Sequence, residues 1–315
     1  RVLFRSMKYA IVFPGQGSQS LGMLSDLNDN FSIVKDTFTE ASDALGFDLW
    51  ALTQEDQEAL NQTQNTQPAM LAAGYATYKV LTSQSDLSPV CMAGHSLGEY
   101  TALVASGALG FSDAIKLVRT RAQLMQSAVP EGVGAMAAIL GLDDEVVVKV
   151  CHDYAGEGIV QAVNFNSNGQ VVIAGNKAAV DATCEAMKAA GAKRAVVLPV
   201  SVPSHCSLMD DAAGEFKHAV DALDFNMGSV DVLHNVDASK AADINEMKAK
   251  LVAQLHKPVL WTGTVRAMHA MGVEKLIEAG PGKVLAGLTR RIEKSLTANA
   301  VLDSAGVASA LEEIK

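Results

Sequence analysis

The sequence predicts an α/β protein: a mostly parallel sheet covered by helices, carrying a smaller inserted β-α-β-β-α-β unit. Three observations point there. Short apolar runs of strand length alternate with helical runs through the first and last parts of the chain. Between those parts the order of elements changes to the ferredoxin-like one. And Gly94-His95-Ser96-Leu97-Gly98 stands between an apolar run and a helical run, as a sharp strand-to-helix turn with a serine at its apex. At 315 residues, 49% of them apolar, the chain can bury a large core in one or two domains.

The elements follow in order. Residues 8–13 read as a strand that ends in the loop Pro14-Gly15-Gln16-Gly17-Ser18-Gln19. Residues 31–46 and 66–83 read as helices. The run 89–93 is the strand before the turn, and 97–106 the helix after it. Ser112 is expected to cap a helix reaching Ala128. The insert is expected over residues 131–201: strand 135–140, helix 143–154, strands 159–165 and 170–174 around Asn166-Ser167-Asn168-Gly169, helix 177–190, and strand 194–200. The larger α/β domain then comprises 7–130 and 202–315. Its second part carries helices 207–223, 244–254, 260–271 and 284–292 and strands 230–235 and 273–278, with Gly280-Pro281-Gly282 as a turn. Parallel strands covered by helices place a ligand in the cleft between the large domain and the insert.

Composition narrows the function. A net charge of −10 argues against general nucleic-acid binding, and it requires a local basic patch for any acidic partner. The four cysteines form neither a C-x-x-C pair nor a zinc pattern, and no metal site is expected. Cys91 and Cys184 sit in apolar patterns as small buried hydrophobes. Free thiols point to a reducing, cytoplasmic setting, and no apolar run reaches membrane-spanning length. Residues 1–6 fit no motif and are expected to be a remnant ahead of a natural start at Met7.

The turn at Ser96 has the G-x-S-x-G form of a nucleophile elbow. Glycines allow the tight reversal, and the following helix directs its N–H groups to the same point. A serine hydroxyl needs a base. His205 follows the Val202-Pro203 break and is expected to open a helix, whose dipole would favour a neutral imidazole. It shares a face with Leu208, Met209 and Ala212, which fits a core histidine equally well. His95 should diverge from Ser96. His152, His218, His234, His256 and His269 stand in polar, surface-like contexts. No acid between Ser96 and His205 occupies an evident strand-end loop, so a backbone carbonyl is an alternative partner for the imidazole.

Arg121 projects from an apolar stripe formed with Leu117, Val118, Leu124 and Met125, whereas Arg119 suits a solvated face. A buried guanidinium needs a partner, either a protein carboxylate or a ligand carboxylate. Gly15-Gln16-Gly17 lacks dinucleotide-fingerprint spacing, and Gly280-Pro281-Gly282-Lys283 lacks the Ser or Thr of a phosphate loop. The loop after the first strand can instead give an oxyanion N–H, with Leu97 giving the other.

Taken together, Pro14-Gly15-Gln16-Gly17-Ser18-Gln19, Gly94-His95-Ser96-Leu97-Gly98-Glu99-Tyr100, Arg121, Val202-Pro203-Ser204-His205 and Asn235-Val236-Asp237 resemble one family in order and spacing. Gln254-Leu255-His256-Lys257-Pro258-Val259 and Gly280-Pro281-Gly282-Lys283-Val284-Leu285 extend the match. The chain is similar to the malonyl-CoA:acyl carrier protein transacylases of bacterial type II fatty-acid synthesis, from about Met7 to near its end. The resemblance implies an α/β-hydrolase-like core with the ferredoxin-like insert. It implies Ser96 as nucleophile, His205 as base, and Gln254 orienting the imidazole through its main-chain carbonyl. Arg121 would bind the malonyl carboxylate, and Gln16 and Leu97 would form the oxyanion hole. Malonyl-CoA and acyl carrier protein would be the partners, with no cofactor, coenzyme A being part of a substrate. Candidates for a basic patch facing an acidic carrier are Lys116, Arg119, Lys193, Arg194, Lys283, Arg290 and Arg291. A plain serine hydrolase shares the elbow, but the missing acid and Arg121 argue against it. A non-catalytic docking module would need neither Ser96 nor His205.

Overall fold

A computed structural model describes residues 7–200 and 202–314. The remnant expected at 1–6, the insert's last position and Lys315 lie outside the described residues. Among the described residues nine strands occur in chain order: β1 Tyr9–Phe13, β2 Met92–Gly94, β3 Gly134–Leu140, β4 Val160–Ser167, β5 Gln170–Asn176, β6 Arg194–Val197, β7 Val232–Leu233, β8 Lys275–Ala279 and β9 Thr297–Val301. They form two sheets, one of order β7-β2-β1-β8-β9 and one of order β4-β5-β3-β6.

The first sheet is parallel at every pairing. All five residues of β1 are buried, as a central parallel strand requires. Strand alternation sends Ile11, Phe13, Met92 and Ile277 into one apolar layer with Leu71, Leu103 and Val118. Ala10, Val12, Ala93 and Leu276 face the other layer, against Trp261, Val265 and Leu288. The second sheet is antiparallel, with β4 and β5 joined through Asn168-Gly169. Its helices Asp144–His152 and Lys177–Ala189 bury Val147, Cys151, Val180 and Met187 against it. Its strand order is that of the ferredoxin-like unit.

Strand β4 of the antiparallel sheet is bonded to the segment Val259–Thr262 of the larger unit. Val259 N–H donates to Val163 O at 2.8 Å, Phe165 N–H donates to Val259 O at 3.0 Å, and Thr262 Oγ1 donates to Phe165 O. The cleft opens beside this seam.

Several local expectations need correction. The helix Phe111–Ala128 begins at Gly110, and Ser112 lies inside it, donating to Glu40 Oε1 instead of capping. β6 stops at Val197, and Leu198 and Val200 line the cleft. β9 and the helix Ser304–Glu313 carry no strong signal: Thr-Ala-Asn-Ala-Val has little β-branched content, and its pairing with β8 makes it a strand. All four cysteines are free and buried, and burial pushes the Cys91 thiol up to about 12. Among the described residues no helix is long and apolar enough to cross a membrane.

Candidate active site

The turn at Ser96 is as tight as its glycines allow. β2 runs beside β1, with Phe13 opposite Gly94, and the helix Gly98–Ala105 starts four residues later. A Cβ on Gly94 would lie 1.9 Å from the Gly98 carbonyl carbon, and one on Gly98 would lie 2.1 Å from Phe13 O. Gly15, in the facing loop, would meet His95 O at 2.5 Å. Ser96 itself has φ 50°, a left-handed backbone that costs a non-glycine residue roughly 1–3 kcal/mol. Asn235 holds it there. Its Oδ1 accepts from Ser96 N–H at 2.7 Å and its Nδ2 donates to Gly94 O at 2.7 Å.

Ser96 Oγ lies 2.8 Å from His205 Nε2, and His205 Nδ1 lies 2.6 Å from Gln254 O. A carbonyl only accepts, so Nδ1 carries the proton and Nε2 presents its lone pair to the serine hydroxyl. The imidazole is held down to about 3, chiefly by burial and next by the Arg121 charge, while the Gln254 carbonyl acts the other way. The expectation that a helix N-terminus keeps it neutral is corrected: His205 precedes a short 3-10 turn at Ser207–Met209, and the helix starts at Asp210. Its own φ is 66°, fixed by its N–H donating to Leu255 O at 2.9 Å. The arrangement is a hydroxyl, a neutral base and a carbonyl that fixes the base's tautomer, which suits nucleophilic attack on an acyl carbon.

Arg121 is 1% exposed and reaches the same point. Nη2 donates to Gln254 Oε1 at 2.9 Å and to Ser96 Oγ at 3.2 Å, and Nη1 donates to Gln67 Oε1 at 2.8 Å. The Tyr100 ring lies 5.4 Å from the guanidinium carbon. All these partners are neutral, and Nε makes no hydrogen bond among the described residues. Burial lowers its proton affinity, while Tyr100 and Glu99 raise it. Of the two partners open to it from sequence, no protein carboxylate forms an ion pair with it among the described residues.

One cleft brings Ser96, His205, Arg121, Leu97 and Gln16 together with Met125, Met136, Leu198 and Val202. No described hydrogen bond engages the backbone N–H of Gln16 or Leu97. His95 diverges from Ser96, its Nε2 2.7 Å from Asn166 Oδ1. The basic candidates lie apart from this cluster. Arg194 opens β6 beside Leu140, which also faces Gln170, and Arg291 Nη1 donates to Gln170 Oε1 at 3.5 Å. Lys193, Arg194 and Arg291 thus share one end of the antiparallel sheet. Lys283 precedes the helix Val284–Ile292 and Arg290 lies in its last turn; both are exposed, as is Lys116. Arg119 is not on a solvated face: its Nη1 is buried, and its guanidinium lies 4.9 Å from the Phe47 ring centre.

Sequence reasoning missed part of this cluster. Glu99 is wholly buried and accepts from Asn235 N–H and Gln254 Nε2 through Oε2. Its Oε1 faces His234 Nδ1 at 2.7 Å, and His234 is 1% exposed, not a surface residue. Two signals were present. Glu99 is the sole charge in the otherwise apolar or neutral helix Gly98–Ala105, and Gln67 directly precedes the apolar run 68–73.

Comparison with known proteins agrees with this geometry. The acyl transferase domain model matches residues 10–310. The chain is 54% identical to the malonyl CoA-acyl carrier protein transacylase of Escherichia coli K12, over 97% of this chain and 99% of that one. A crystal structure of an acyl carrier protein S-malonyltransferase from Vibrio cholerae superposes with a TM-score of 0.94 at 55% identity, covering 96% of this chain and 99% of that one. A malonyl-transacylase solved in complex with a type II polyketide acyl-carrier protein superposes with a TM-score of 0.95 at 52% identity, covering 97% and 99%. The chain belongs to the acyl transferase family, and within it to the malonyl CoA-acyl carrier protein transacylases.

Proposed function

We propose that this enzyme moves a malonyl group from coenzyme A to the phosphopantetheine thiol of acyl carrier protein through a serine ester. The observation that carries the proposal is one cleft holding both a serine-imidazole-carbonyl relay and a buried guanidinium that no carboxylate among the described residues pairs. In the first half, Ser96 Oγ attacks the thioester carbon while His205 Nε2 takes its proton. The tetrahedral oxyanion sits against the N–H groups of Gln16 and Leu97; one such donor is worth roughly 3–4 kcal/mol. The C–S bond breaks, the proton passes to the coenzyme A sulfur, and a malonyl-serine ester remains. In the second half the carrier thiol gives its proton to His205 and attacks that ester, and the proton returns to Ser96. Gln254 O keeps Nδ1 protonated throughout, and Arg121 holds the malonyl carboxylate in both halves.

The reaction as written draws on no cofactor. Lys193, Arg194, Lys283, Arg290 and Arg291 supply the positive surface that an acidic carrier needs on this acidic protein. We take 131–201 as the insert domain and 7–130 with 202–315 as the catalytic domain. Four free buried thiols suit a cytoplasmic setting.

Intact-mass analysis tests this reading. Malonyl-CoA should add one malonyl group, mapped to Ser96, and holo carrier protein should then remove it onto its own thiol. Release of free malonate without acceptor, as fast as transfer, would make the protein a hydrolase. Absence of any adduct would reject covalent catalysis.

A further inference from the structure

Glu99 lies three residues after Ser96 and touches neither the cleft nor Arg121's nitrogens, yet it binds both residues that hold the reacting groups. Oε2 accepts from Gln254 Nε2 at 2.8 Å and from Asn235 N–H at 2.9 Å, and Oε1 faces His234 Nδ1 at 2.7 Å. Gln254 Nε2 also donates to Ser96 O at 3.0 Å, so its amide oxygen is turned toward Arg121 Nη2 at 2.9 Å. A reversed amide would set an NH2 against the guanidinium and a carbonyl against a carboxylate, two repulsive contacts in a dry site. Asn235, held by the same carboxylate, carries the strained Ser96 backbone.

We propose that Glu99 is a positioning and specificity-determining residue: its buried carboxylate locks the Gln254 amide, which aligns Arg121 for the acyl carboxylate. The inference rests on the proposed role of Arg121 as the malonyl ligand. Glu99 acts by reach, not by charge. An amide oxygen in place of Oε2 can accept the same two N–H groups. The amide NH2 would then face His234 Nδ1, which becomes an acceptor when the ring proton sits on Nε2, a nitrogen that no hydrogen bond among the described residues engages.

Two substitutions separate reach from charge. Glu99→Asp keeps the charge and withdraws it by one methylene; Glu99→Gln keeps the reach and removes the charge. Ser96 loading is followed by intact mass with malonyl-CoA and with acetyl-CoA, alongside thermal melts, for wild type and both variants. Glu99→Asp is expected to lower the malonyl-to-acetyl rate ratio about tenfold, the effect of misplacing one charge-assisted hydrogen bond. Most of that change should appear in KM for malonyl-CoA, and acetyl loading should stay within about threefold of wild type. Glu99→Gln should keep the ratio within about threefold. Equal losses for both acyl donors, an unchanged ratio in Glu99→Asp, or a lost ratio in Glu99→Gln alone would each overturn the assignment. If Glu99→Asp is too unstable to assay, Gln254→Leu, which leaves the main-chain carbonyl in place, must show the same fall, and an unchanged ratio overturns it too. Failure of the wild type to load malonyl rejects the functional reading itself, whatever the variants do.

Discussion

Replacing Arg121 by alanine is the sharpest perturbation of the proposed site. The guanidinium is buried; among the described residues its acceptors are two amide oxygens and the serine hydroxyl, and no carboxylate forms an ion pair with it. A malonyl carboxylate arriving there completes a buried ion pair; an acetyl methyl leaves the charge as it was. Hydrogen bonds to charged groups contribute roughly 1.5–3 kcal/mol each. A forked pair makes two such bonds, and the variant leaves the carboxylate facing Gln67 Oε1 and Gln254 Oε1, both acceptors. Gln254 cannot relieve this by turning over while Glu99 and Ser96 O hold its Nε2. A loss of about 3–4 kcal/mol corresponds to a 10²–10³-fold fall in the malonyl-to-acetyl ratio of kcat/KM. The assay is single-turnover loading of Ser96 from each thioester, read by mass, with thermal melts as a control for folding. Malonyl preference retained in a folded Arg121→Ala protein would refute the reasoning, since no other described cation reaches this end of the cleft.

Other expectations can be checked alongside. His205 is held near 3 against its ordinary 6.5, so the Ser96 acylation rate should stay flat from pH 8 to 5. Between those two pKa values the unfolded chain binds a proton that the folded chain refuses. This residue's contribution to stability therefore falls as pH drops below about 6.5 and levels off near 3, which acid melts would show. Gly94→Ala should abolish soluble, loadable protein, because its Cβ would overlap the backbone of Gly98. Gly214→Ala should stabilise by about 0.5–1 kcal/mol in denaturant titration: the site is in the exposed face of the helix Asp210–Asp221, and its Cβ would meet nothing within 4 Å. Reversing Arg290 and Arg291 together to Glu should slow transfer to the carrier and leave loading from malonyl-CoA unchanged; equal slowing of both steps would reject the basic surface.

The parts of the fold that were legible from sequence are those where local preference and tertiary context agree. The run 9–13 is apolar on both faces and becomes a central strand; the glycines around Ser96 match a turn where any Cβ would collide. The strand expected at 230–235 is present but shorter, Val232–Leu233, and β9 was not legible because its pairing with β8, not its composition, makes it a strand. At the site, Ser96, His205 and Arg121 could be singled out because each breaks a local pattern. His234 and Arg119 were misplaced for the opposite reason. Nothing in their flanking residues names the groups they pack on: Glu99 and Phe47 are distant in the chain.

The missing acid of the serine relay has a physical rationale in this arrangement. A carboxylate beside His205 would also lie within reach of Arg121, whose Nη2 is 3.2 Å from the same serine oxygen. Opposite charges so close in a dry site would pair with each other, and the guanidinium would be spent before a substrate arrived. In the proposed reaction Gln254 avoids this by dividing the task. Its main-chain carbonyl orients the imidazole with a partial charge only, and its side-chain amide steadies Arg121 without neutralising it. The one full negative charge in the cluster, on Glu99, sits behind that amide and is absorbed by three N–H donors, from Gln254, Asn235 and His234. In the proposed reaction a neutral relay and an unspent cation are thus two consequences of one choice at position 254, and both serve an acyl group that carries its own carboxylate.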